Sequence, residues 1–288
     1  MMHQTPPRMK PLACLGVEAA KKIRYVLMDI DDTLTTAGKL PAAAYDALWR
    51  LKAAGLRTVP VTGRPAGWCD LIAREWPVDG VVGENGAFVF WERAAEQGSF
   101  GGRRTLCQYF HPGAVRNDHG ALARIRDRAL AEVAGLRIAK DQFGRLFDLA
   151  LDFAEEEPAL PLEAAEQVLA IAAGEGARAK ISSIHVNVWM GDYDKRFMSE
   201  YFLRNMLGWR GDTEEVAFAG DSPNDEPMFE RFPCSCAVAN IARYTGRLKH
   251  FPAYTAAGEG GEGFAEIAAA LIAKRLTPPA QAGTGRLF

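Results

Sequence analysis

A short apolar segment that ends in a cluster of acids is the feature that most constrains the fold of this chain. Residues 25–30 read Tyr-Val-Leu-Met-Asp-Ile and lead directly to Asp31 and Asp32. An apolar run of strand-forming residues is typical of a strand buried on both faces of a parallel sheet. Ligands bind at the carboxyl ends of such strands, so acids placed there predict a cation or phosphate site. Asp29 and Asp31 lie two positions apart in a turning chain, where one can bind or attack while the other exchanges protons.

Two later apolar runs end in polar residues in the same way. Residues 59–61 lead to a hydroxyl, a glycine and a cation. Residues 216–219 lead to Gly-Asp and then to Asn-Asp, and a lysine opens an amphipathic helix between these two runs. Several carboxylates in one cleft repel one another unless a hard cation neutralises them. Oxygen donors without nearby His or Cys favour Mg²⁺. The candidate residues are Thr62, Gly63, Arg64, Lys195, Asp221, Asn224 and Asp225.

The order of helix and strand signals predicts the domain organisation. Strands and helices alternate over residues 21–87 and again over 193–276. This rhythm predicts an α/β fold with a Rossmann-like, doubly wound parallel sheet as the catalytic core. Residues 88–192 have longer strands and two helices, near 117–134 and 160–173, which predicts an inserted α+β cap domain. Residues 1–20 are expected to form a loose leader, and residues 277–288 a flexible tail.

Two cap segments alternate apolar and polar residues with a period of two. Residues 147–153 and 184–189 each place their apolar side chains on one face and their polar side chains on the other. Such alternation predicts a sheet with one buried and one open face. His185 and Asn187 on the open face are candidates for substrate selection, and the alternative is a solvated sheet surface. Asn85 is a further candidate, either close to the phosphate or as part of a turn with Gly86.

Composition excludes several classes of partner. The 288 residues are 48% hydrophobic and 24% charged, as in ordinary globular proteins. A net charge of -2 gives no electrostatic footprint for nucleic acid or an anionic membrane. Five scattered cysteines suit a reducing compartment, so a cytoplasmic location is expected. The expected partner is a small-molecule phosphate ester, and the expected assembly is a monomer or a homodimer.

Taken in order, these motifs resemble those of the haloacid dehalogenase (HAD) superfamily of phosphohydrolases. The segments 83–87, Gly-Glu-Asn-Gly-Ala, and 260–267 are similar to the subclass with a large α/β (type IIB) cap. That subclass includes Cof-type, sucrose-phosphate and mannosyl-3-phosphoglycerate phosphatases. The resemblance covers roughly residues 21–275. Asp32 stands where many relatives carry glycine, although aspartate is also accepted there.

The resemblance implies a role for each residue at the reacting centre. Asp29 matches the nucleophile that becomes an aspartyl phosphate. Asp31 matches the general acid/base that protonates the leaving alkoxide and then activates water. Mg²⁺ would be bound by Asp29, by Asp221 and by the main-chain carbonyl of Asp31. Thr62 and Lys195 would stabilise the phosphoryl group.

The remaining residues are expected to support this centre. Asp225 is expected to orient Lys195 or a metal-bound water, and Asn224 to do the same or to contact phosphate. Main-chain N–H groups of the turn at Gly63 would bind phosphoryl oxygens. Arg64 is left open between a structural salt bridge and a role near the phosphate.

The predicted function is that of a Mg²⁺-dependent phosphoric monoester hydrolase acting on a small phosphorylated metabolite, expected to be a sugar phosphate. A phosphosugar mutase of the phosphomannomutase type is the first alternative, since it would use the same aspartyl phosphate. The other alternative is a catalytically silent phosphate-binding regulatory protein. The segment 220–225, Gly-Asp-Ser-Pro-Asn-Asp, resembles the phosphatases more than the mutases.

Overall fold

The computed structural model describes residues 9–94 and 104–277 of the chain. Its strands are β1 (Lys10–Pro11), β2 (Tyr25–Met28), β3 (Arg57–Pro60), β4 (Val81–Gly83), β5 (Phe88–Ala94), β6 (Arg104–Phe110), β7 (Arg137–Ile138), β8 (Asp148–Asp152), β9 (Arg178–Ile181), β10 (His185–Trp189), β11 (Val216–Gly220), β12 (Cys234–Ala237) and β13 (Tyr254–Thr255). Its α-helices are α1 (Val17–Lys22), α2 (Ala42–Ala53), α3 (Ala66–Glu75), α4 (Gly120–Glu132), α5 (Leu162–Gly174), α6 (Lys195–Met206), α7 (Glu226–Arg231) and α8 (Gly260–Leu276).

The largest sheet contains six strands in the order β1-β13-β12-β11-β2-β3. Every pairing in it is parallel. The strands β2 and β11 lie side by side, and all their residues are buried. Because all strands run the same way, the residues that follow β2, β3 and β11 lie along one edge of the sheet.

Helices cover both faces of this sheet. Val26 and Met28 of β2 point into one hydrophobic core, which also contains the apolar residues of α2 and α8. Tyr25 and Leu27 point into a second core on the other face, with the apolar residues of α6 and α7. This arrangement confirms the predicted doubly wound α/β core and explains why β2 has no polar face. Within residues 9–94 and 104–277, no helix is both long enough and apolar enough to cross a membrane.

Two antiparallel sheets accompany the core. One has the strand order β4-β5-β6, and the other has the order β7-β8-β10-β9. Helices α4 and α5 pack on the four-stranded sheet, and their apolar side chains form a third core with Leu149, Leu151, Val186 and Val188. These elements agree with the fold predicted for the cap. The exact division into a core at 21–87 and 193–276 and a cap at 88–192 stays a prediction.

The polar face of the four-stranded sheet is not open, so that prediction is wrong. His185 and Asn187 are each 2% exposed, and Asp148 is fully buried. Beside this sheet, Arg145 donates a hydrogen bond of 2.8 Å to the carbonyl oxygen of Gly63 in the core. The period-two pattern identified which residues share a face. It could not show that this face is covered, because polar residues can pair with other buried polar residues as well as with water.

The segment before β2 also differs from its prediction. β1 pairs in parallel with β13 at the edge of the large sheet. Leu12 and Leu15 are buried in the first core, and α1 follows them. The prediction of a loose leader over residues 1–20 is therefore wrong for residues 9–20. Leu12 and Leu15 of this segment pack in the same core as the apolar side chains of α8. Residues 1–8 and 278–288, including most of the predicted flexible tail, lie outside the described residues.

Gly86 supports a close approach of two segments, which can be tested by substitution. Its φ is +106°, and a Cβ at this position would overlap the main-chain carbonyl of Asp194. We expect Gly86→Ala to lower the free energy of unfolding by about 2–3 kcal/mol, because both the backbone strain and the overlap must be relieved. Thermal and urea unfolding measure this change.

Gly246→Ala is the matched control for that substitution. A Cβ at Gly246 meets no atom within 4 Å, so its effect should stay within about 0.5 kcal/mol. Equal stability of the two variants would contradict the close packing at Gly86.

Candidate active site

A buried lysine joins two carboxylates from different strand ends. Lys195, the first residue of α6, donates hydrogen bonds of 2.8 Å to Asp29 Oδ1 and 2.9 Å to Asp225 Oδ1. Asp29 directly follows β2, and Asp225 lies in the turn after β11. All three side chains are at most 3% exposed. Burial alone lowers the pKa of Lys195, but attraction to Asp225 and Asp29 outweighs it and raises this pKa above its ordinary value.

The donor set beside this lysine fits a hard divalent cation. One carboxylate oxygen from each of Asp29, Asp221 and Asp225 lies within 4.8 Å of the others. Among the described main-chain N–H groups, none donates to the carbonyl oxygen of Asp31, the further ligand that the resemblance implies. Oxygen donors of this kind suit Mg²⁺, which keeps part of its water shell in protein sites.

The three carboxylates are not equivalent. Asp225 already accepts hydrogen bonds from Lys195 and, at 3.1 Å, from the main-chain N–H of Asp221, which indicates a supporting role. Asp221 accepts bonds from Thr33 Oγ1 at 3.1 Å and Asn240 Nδ2 at 3.3 Å. These neutral donors fix the carboxylate of Asp221 and leave lone pairs for a cation.

Burial makes these acids resist ionisation. It raises the pKa of Asp29 to about 8, although the positive charge of Lys195 opposes the shift. Burial and repulsion from Asp225 raise the pKa of Asp221 well above its ordinary value. A bound cation would favour the charged forms of both groups, so cation binding and proton release are coupled here.

The second acid of the first motif, Asp31, is paired with Arg64. The guanidinium group donates to both carboxylate oxygens of Asp31, with distances of 2.7–3.0 Å. Arg64 is 4% exposed and lies 4.3 Å from the ring centre of Trp68. The structure thus places Arg64 in a salt bridge with Asp31, and none of its hydrogen bonds in the described residues goes to Asp29 or Asp221.

Arg64 also links Asp31 to the region predicted to form the cap. Its Nη1 atom lies 2.8 Å from Glu155 Oε1 and 3.3 Å from Asp141 Oδ2. Glu155 is in turn 2.8 Å from His185 Nε2. The hydrogen bond and charge of His185, together with Arg64, lower the pKa of Glu155 to about 2 against the opposing effect of burial. In residues 9–94 and 104–277, the hydrogen bond of the His185 ring goes to Glu155, which links it to Arg64.

The turn after β3 lies directly under the four-stranded sheet. Thr62 Oγ1 accepts a hydrogen bond of 3.0 Å from the main-chain N–H of Arg64, which shapes this turn. A Cβ on Gly63 would lie 3.0 Å from Asn187 Oδ1 and 3.2 Å from Asn85 Nδ2. Gly63 thus allows two polar side chains to approach the main chain where the resemblance implies a phosphoryl group. Asn187 is oriented by donating a 2.8 Å bond to Asp148 Oδ2.

Glu84 connects the start of α3 with residues 146–148 through hydrogen bonds. Its carboxyl group accepts hydrogen bonds from the main-chain N–H groups of Ala66, Leu146, Phe147 and Asp148, at 2.7–3.2 Å. Burial and the charge of Asp148 raise the pKa of Glu84 to about 8, against the effect of these donors. Its φ of +42° brings the side chain into this position, within the Gly-Glu-Asn-Gly segment.

The next residue, Asn85, has an unpaired carboxamide. Asn85 is 2% exposed, and neither its Nδ2 nor its Oδ1 atom has a hydrogen-bond partner among the described residues. Leaving a buried polar group unpaired costs roughly 1–3 kcal/mol. Asn85 lines a cavity of about 260 Å³ together with Lys195 and Asn224, so it lies beside the reacting centre. Asn224 itself accepts a 2.9 Å bond from Ser222 Oγ.

The backbone at Asp32 explains why glycine is common there in relatives. Its φ is +55°, in the left-handed region that glycine occupies without strain and aspartate tolerates. Burial and the nearby charge of Asp31 raise the pKa of Asp32.

Sequence reasoning missed several residues that shape this site. Asn240 lies in the turn shortly after β12, as Asp225 does after β11, so its position near a strand end was a usable signal. Glu84 belongs to the Gly-Glu-Asn-Gly segment, in which Asn85 was the predicted site residue. The contacts of Asp141, Arg145 and Glu155 had no local signal, because their partners are distant along the chain.

Comparison with known proteins agrees with this architecture. Residues 26–99 match the family model of haloacid dehalogenase-like hydrolases. No curated protein sequence matches the chain. Among solved structures, a HAD/COF-like hydrolase from Plasmodium vivax is 18% identical, with a TM-score of 0.61 and coverage of 90% of this chain and 98% of that one.

Two sugar-related phosphatases share the same fold. The HAD subclass IIB sugar phosphatase BT4131 is 15% identical, with a TM-score of 0.56 and coverage of 84% of this chain and 96% of that one. The sucrose-phosphatase from Synechocystis sp. PCC6803, solved with sucrose and phosphate, is 15% identical, with a TM-score of 0.53 and coverage of 86% and 97%. The resemblance to the haloacid dehalogenase superfamily is therefore confirmed, and the chain has the fold of its subclass with a type IIB cap.

The raised pKa of Asp29 predicts how stability depends on pH and on Mg²⁺. The group ordinarily titrates near 3.8 and titrates at about 8 in the fold, so the folded protein must release this proton against burial as the pH rises. Without a divalent cation, we expect the melting temperature to fall between pH 6 and pH 8. Added Mg²⁺ should raise it more at pH 8 than at pH 6, since its ligands are then more easily ionised.

Scanning calorimetry at the two pH values, with and without Mg²⁺, measures this effect. The Asp221→Asn variant serves as a comparison and should lose most of the response to Mg²⁺. A Mg²⁺ effect that is equal at both pH values, or larger at pH 6, would contradict the assignment of the site.

Proposed function

We propose that this protein is a Mg²⁺-dependent phosphatase that hydrolyses a small phosphorylated metabolite, in the class of sugar phosphates, through an aspartyl phosphate. The observation that carries the proposal is the separation of the two acids after β2. Asp29 is held by Lys195 beside the other carboxylates, whereas Asp31 is held by Arg64. This separation supports a role for Asp29 as the nucleophile and for Asp31 as the group that transfers protons. The fold shared with two sugar-related phosphatases supports this reading.

In the first step, Asp29 attacks phosphorus and the bond from phosphorus to the leaving oxygen breaks. The hydrogen bond from Lys195 to Asp29 Oδ1 fixes the carboxylate and leaves its other oxygen for the attack. Lys195 also offsets the negative charge of the phosphoryl group. In the turn 62–64, the N–H groups of Thr62 and Arg64 already donate to Val82 and to Thr62 Oγ1, so the N–H of Gly63 would be the main-chain donor to a phosphoryl oxygen. Mg²⁺, held by Asp29, Asp221 and the carbonyl of Asp31, would supply further positive charge.

Asp31 serves both steps by moving a proton. It protonates the leaving alkoxide and then takes a proton from the water that hydrolyses the aspartyl phosphate. Proton transfer typically supplies only about 10²–10⁴ of the rate enhancement, whereas phosphate monoester hydrolysis is accelerated by up to ~10²¹. Electrostatic stabilisation by Lys195, the cation and the turn must therefore supply more. Arg64 fixes the carboxylate of Asp31 for this work.

The other features of the chain are consistent with a cytoplasmic enzyme that has a cap. All five cysteines are free, as suits a reducing compartment. We assign residues 88–192 to the cap, 21–87 and 193–276 to the catalytic core, and a monomer or homodimer to the active form.

Replacement of the nucleophile tests the proposal. Wild-type protein should release inorganic phosphate from sugar phosphates or p-nitrophenyl phosphate only when Mg²⁺ is present. Asp29→Asn should reduce this release by at least about 10³-fold, because the variant cannot form the phosphoenzyme. Asp46→Asn, which changes an exposed aspartate on α2, is the matched control and should keep full activity.

Two results would contradict the proposal. Full activity in Asp29→Asn would rule out an aspartyl phosphate at Asp29 as the intermediate. Conversion of a hexose 1-phosphate to its 6-isomer without phosphate release would instead identify a mutase, in which a second sugar hydroxyl replaces water as the acceptor.

The role of Asp31 predicts a dependence on the leaving group. For an alkyl phosphate, Asp31→Asn should lower kcat by about 10²–10⁴, because the alkoxide needs a proton. Nitrophenolate leaves readily without one, so the same variant should release a first equivalent of nitrophenolate quickly and then turn over slowly. Rapid-quench kinetics measures this burst. Equal loss of rate for both substrates with no burst would show that Asp31 does not act as the acid/base.

A further inference from the structure

A cavity beside the reacting centre connects the core with the four-stranded sheet. It has a volume of about 260 Å³, near the lower end of the roughly 300–1,000 Å³ of typical ligand sites. The core contributes Asn85, Lys195 and Asn224, and the sheet contributes Arg178, Lys180 and Trp189. A phosphoryl group at Lys195 would leave the rest of a small substrate in this cavity.

The cavity carries more positive than negative groups. Among the described residues that line it, Asp194 is the one acid, and its carboxylate already accepts a 2.7 Å bond from the N–H of Phe197 at the start of α6. Lys195 is paired with Asp29 and Asp225, and Arg178 is paired with Asp192. Lys180 differs from these cations: in residues 9–94 and 104–277, it makes no ion pair, and its ammonium group forms no hydrogen bond.

Lys180 is placed on the face that covers the reacting centre. It is the cross-strand partner of Asn187, and Arg178 is the partner of Trp189. Residues directly opposite on paired strands point to the same face. Asn187 lies over Gly63, so Lys180 extends from the same face beside it, where β9 packs on the turn 223–225.

The same cavity is lined by two side chains with unpaired polar atoms. The carboxamide of Asn85 and the indole N–H of Trp189 are buried and have no hydrogen-bond partner in the described part of the chain. Buried polar groups are nearly always paired, and exceptions call for an explanation such as a missing ligand. Both groups can bind hydroxyl or anionic oxygens.

We propose that Lys180 binds a second anionic group on the leaving-group side of the substrate. The preferred substrates are then phosphate esters of acids, or bisphosphates, rather than phosphates of uncharged sugars. The shared chemistry is an anionic oxygen group, either a carboxylate or a second phosphoryl group. The inference rests on the proposed phosphatase function, because it takes the phosphoryl group to lie at Asp29 and Lys195.

Binding of matched ligand pairs tests the inference without turnover. The Asp29→Asn protein is titrated by calorimetry, with Mg²⁺ present, with 3-phosphoglycerate against glycerol 3-phosphate, and with fructose 1,6-bisphosphate against fructose 6-phosphate. In at least one pair, the ligand with the second anionic group should bind about tenfold tighter or more than the ligand with the phosphate alone. This is the effect expected of one charge-assisted hydrogen bond. The pair that shows the preference identifies the group as a carboxylate or a phosphoryl group.

Adding Lys180→Met should remove that preference, and Lys180→Arg should restore part of it. Lys52→Met, which changes an exposed lysine on α2, is the matched control and should keep the preference. Equal affinities within both pairs, or a preference that survives Lys180→Met, would overturn the inference. Phosphate release by the wild type, measured in parallel, separates the two proposals: a preference without turnover contradicts only the phosphatase, and turnover without a preference contradicts only the anion site.

Discussion

The site depends on one buried ammonium group between two buried carboxylates. Removing Lys195 would leave Asp29 and Asp225 close together without compensation, which is strongly destabilising for buried charges. The lysine can occupy this place because it begins α6, where the chain returns from residues 88–192 to the parallel sheet. Gly86 packs against the main chain of Asp194 immediately before it. The position of Lys195, the partner of Asp29, is therefore fixed by the junction between the two regions.

A second set of buried charges connects Asp31, the proposed acid/base, to the four-stranded sheet. Arg64 holds Asp31 and also contacts Glu155 and Asp141, while Arg145 reaches the carbonyl of Gly63 from the other side. Orientation of Asp31 thus depends on residues of the region that would also contact the leaving group. In the proposed function, substrate recognition and proton transfer would share one network of hydrogen bonds. The same network gives the buried polar side chains of that sheet their partners.

The two wrong predictions have a common physical origin. Alternation in residues 184–189 showed that His185 and Asn187 share a face, but whether that face meets water depends on what lies opposite. Likewise, residues 9–20 have no clear period, yet Leu12 and Leu15 are buried because α8 and the sheet offer an apolar surface. Local patterns report the chemistry of a segment and carry no information about its neighbours in space.

The sequence by itself determined the parallel sheet, its two covered faces and the strand ends that carry Asp29, Thr62 and Asp221, since these follow from apolar runs and the polar residues that end them. It also predicted Mg²⁺ as the cation from the donor types. Only the tertiary structure decided which carboxylate pairs with which cation. Lys195 and Asp29 are 166 positions apart, and Arg64 and Asp31 are 33 apart. Such pairings arise when the folded chain excludes water and each buried charge must find a partner, and no local pattern encodes that choice.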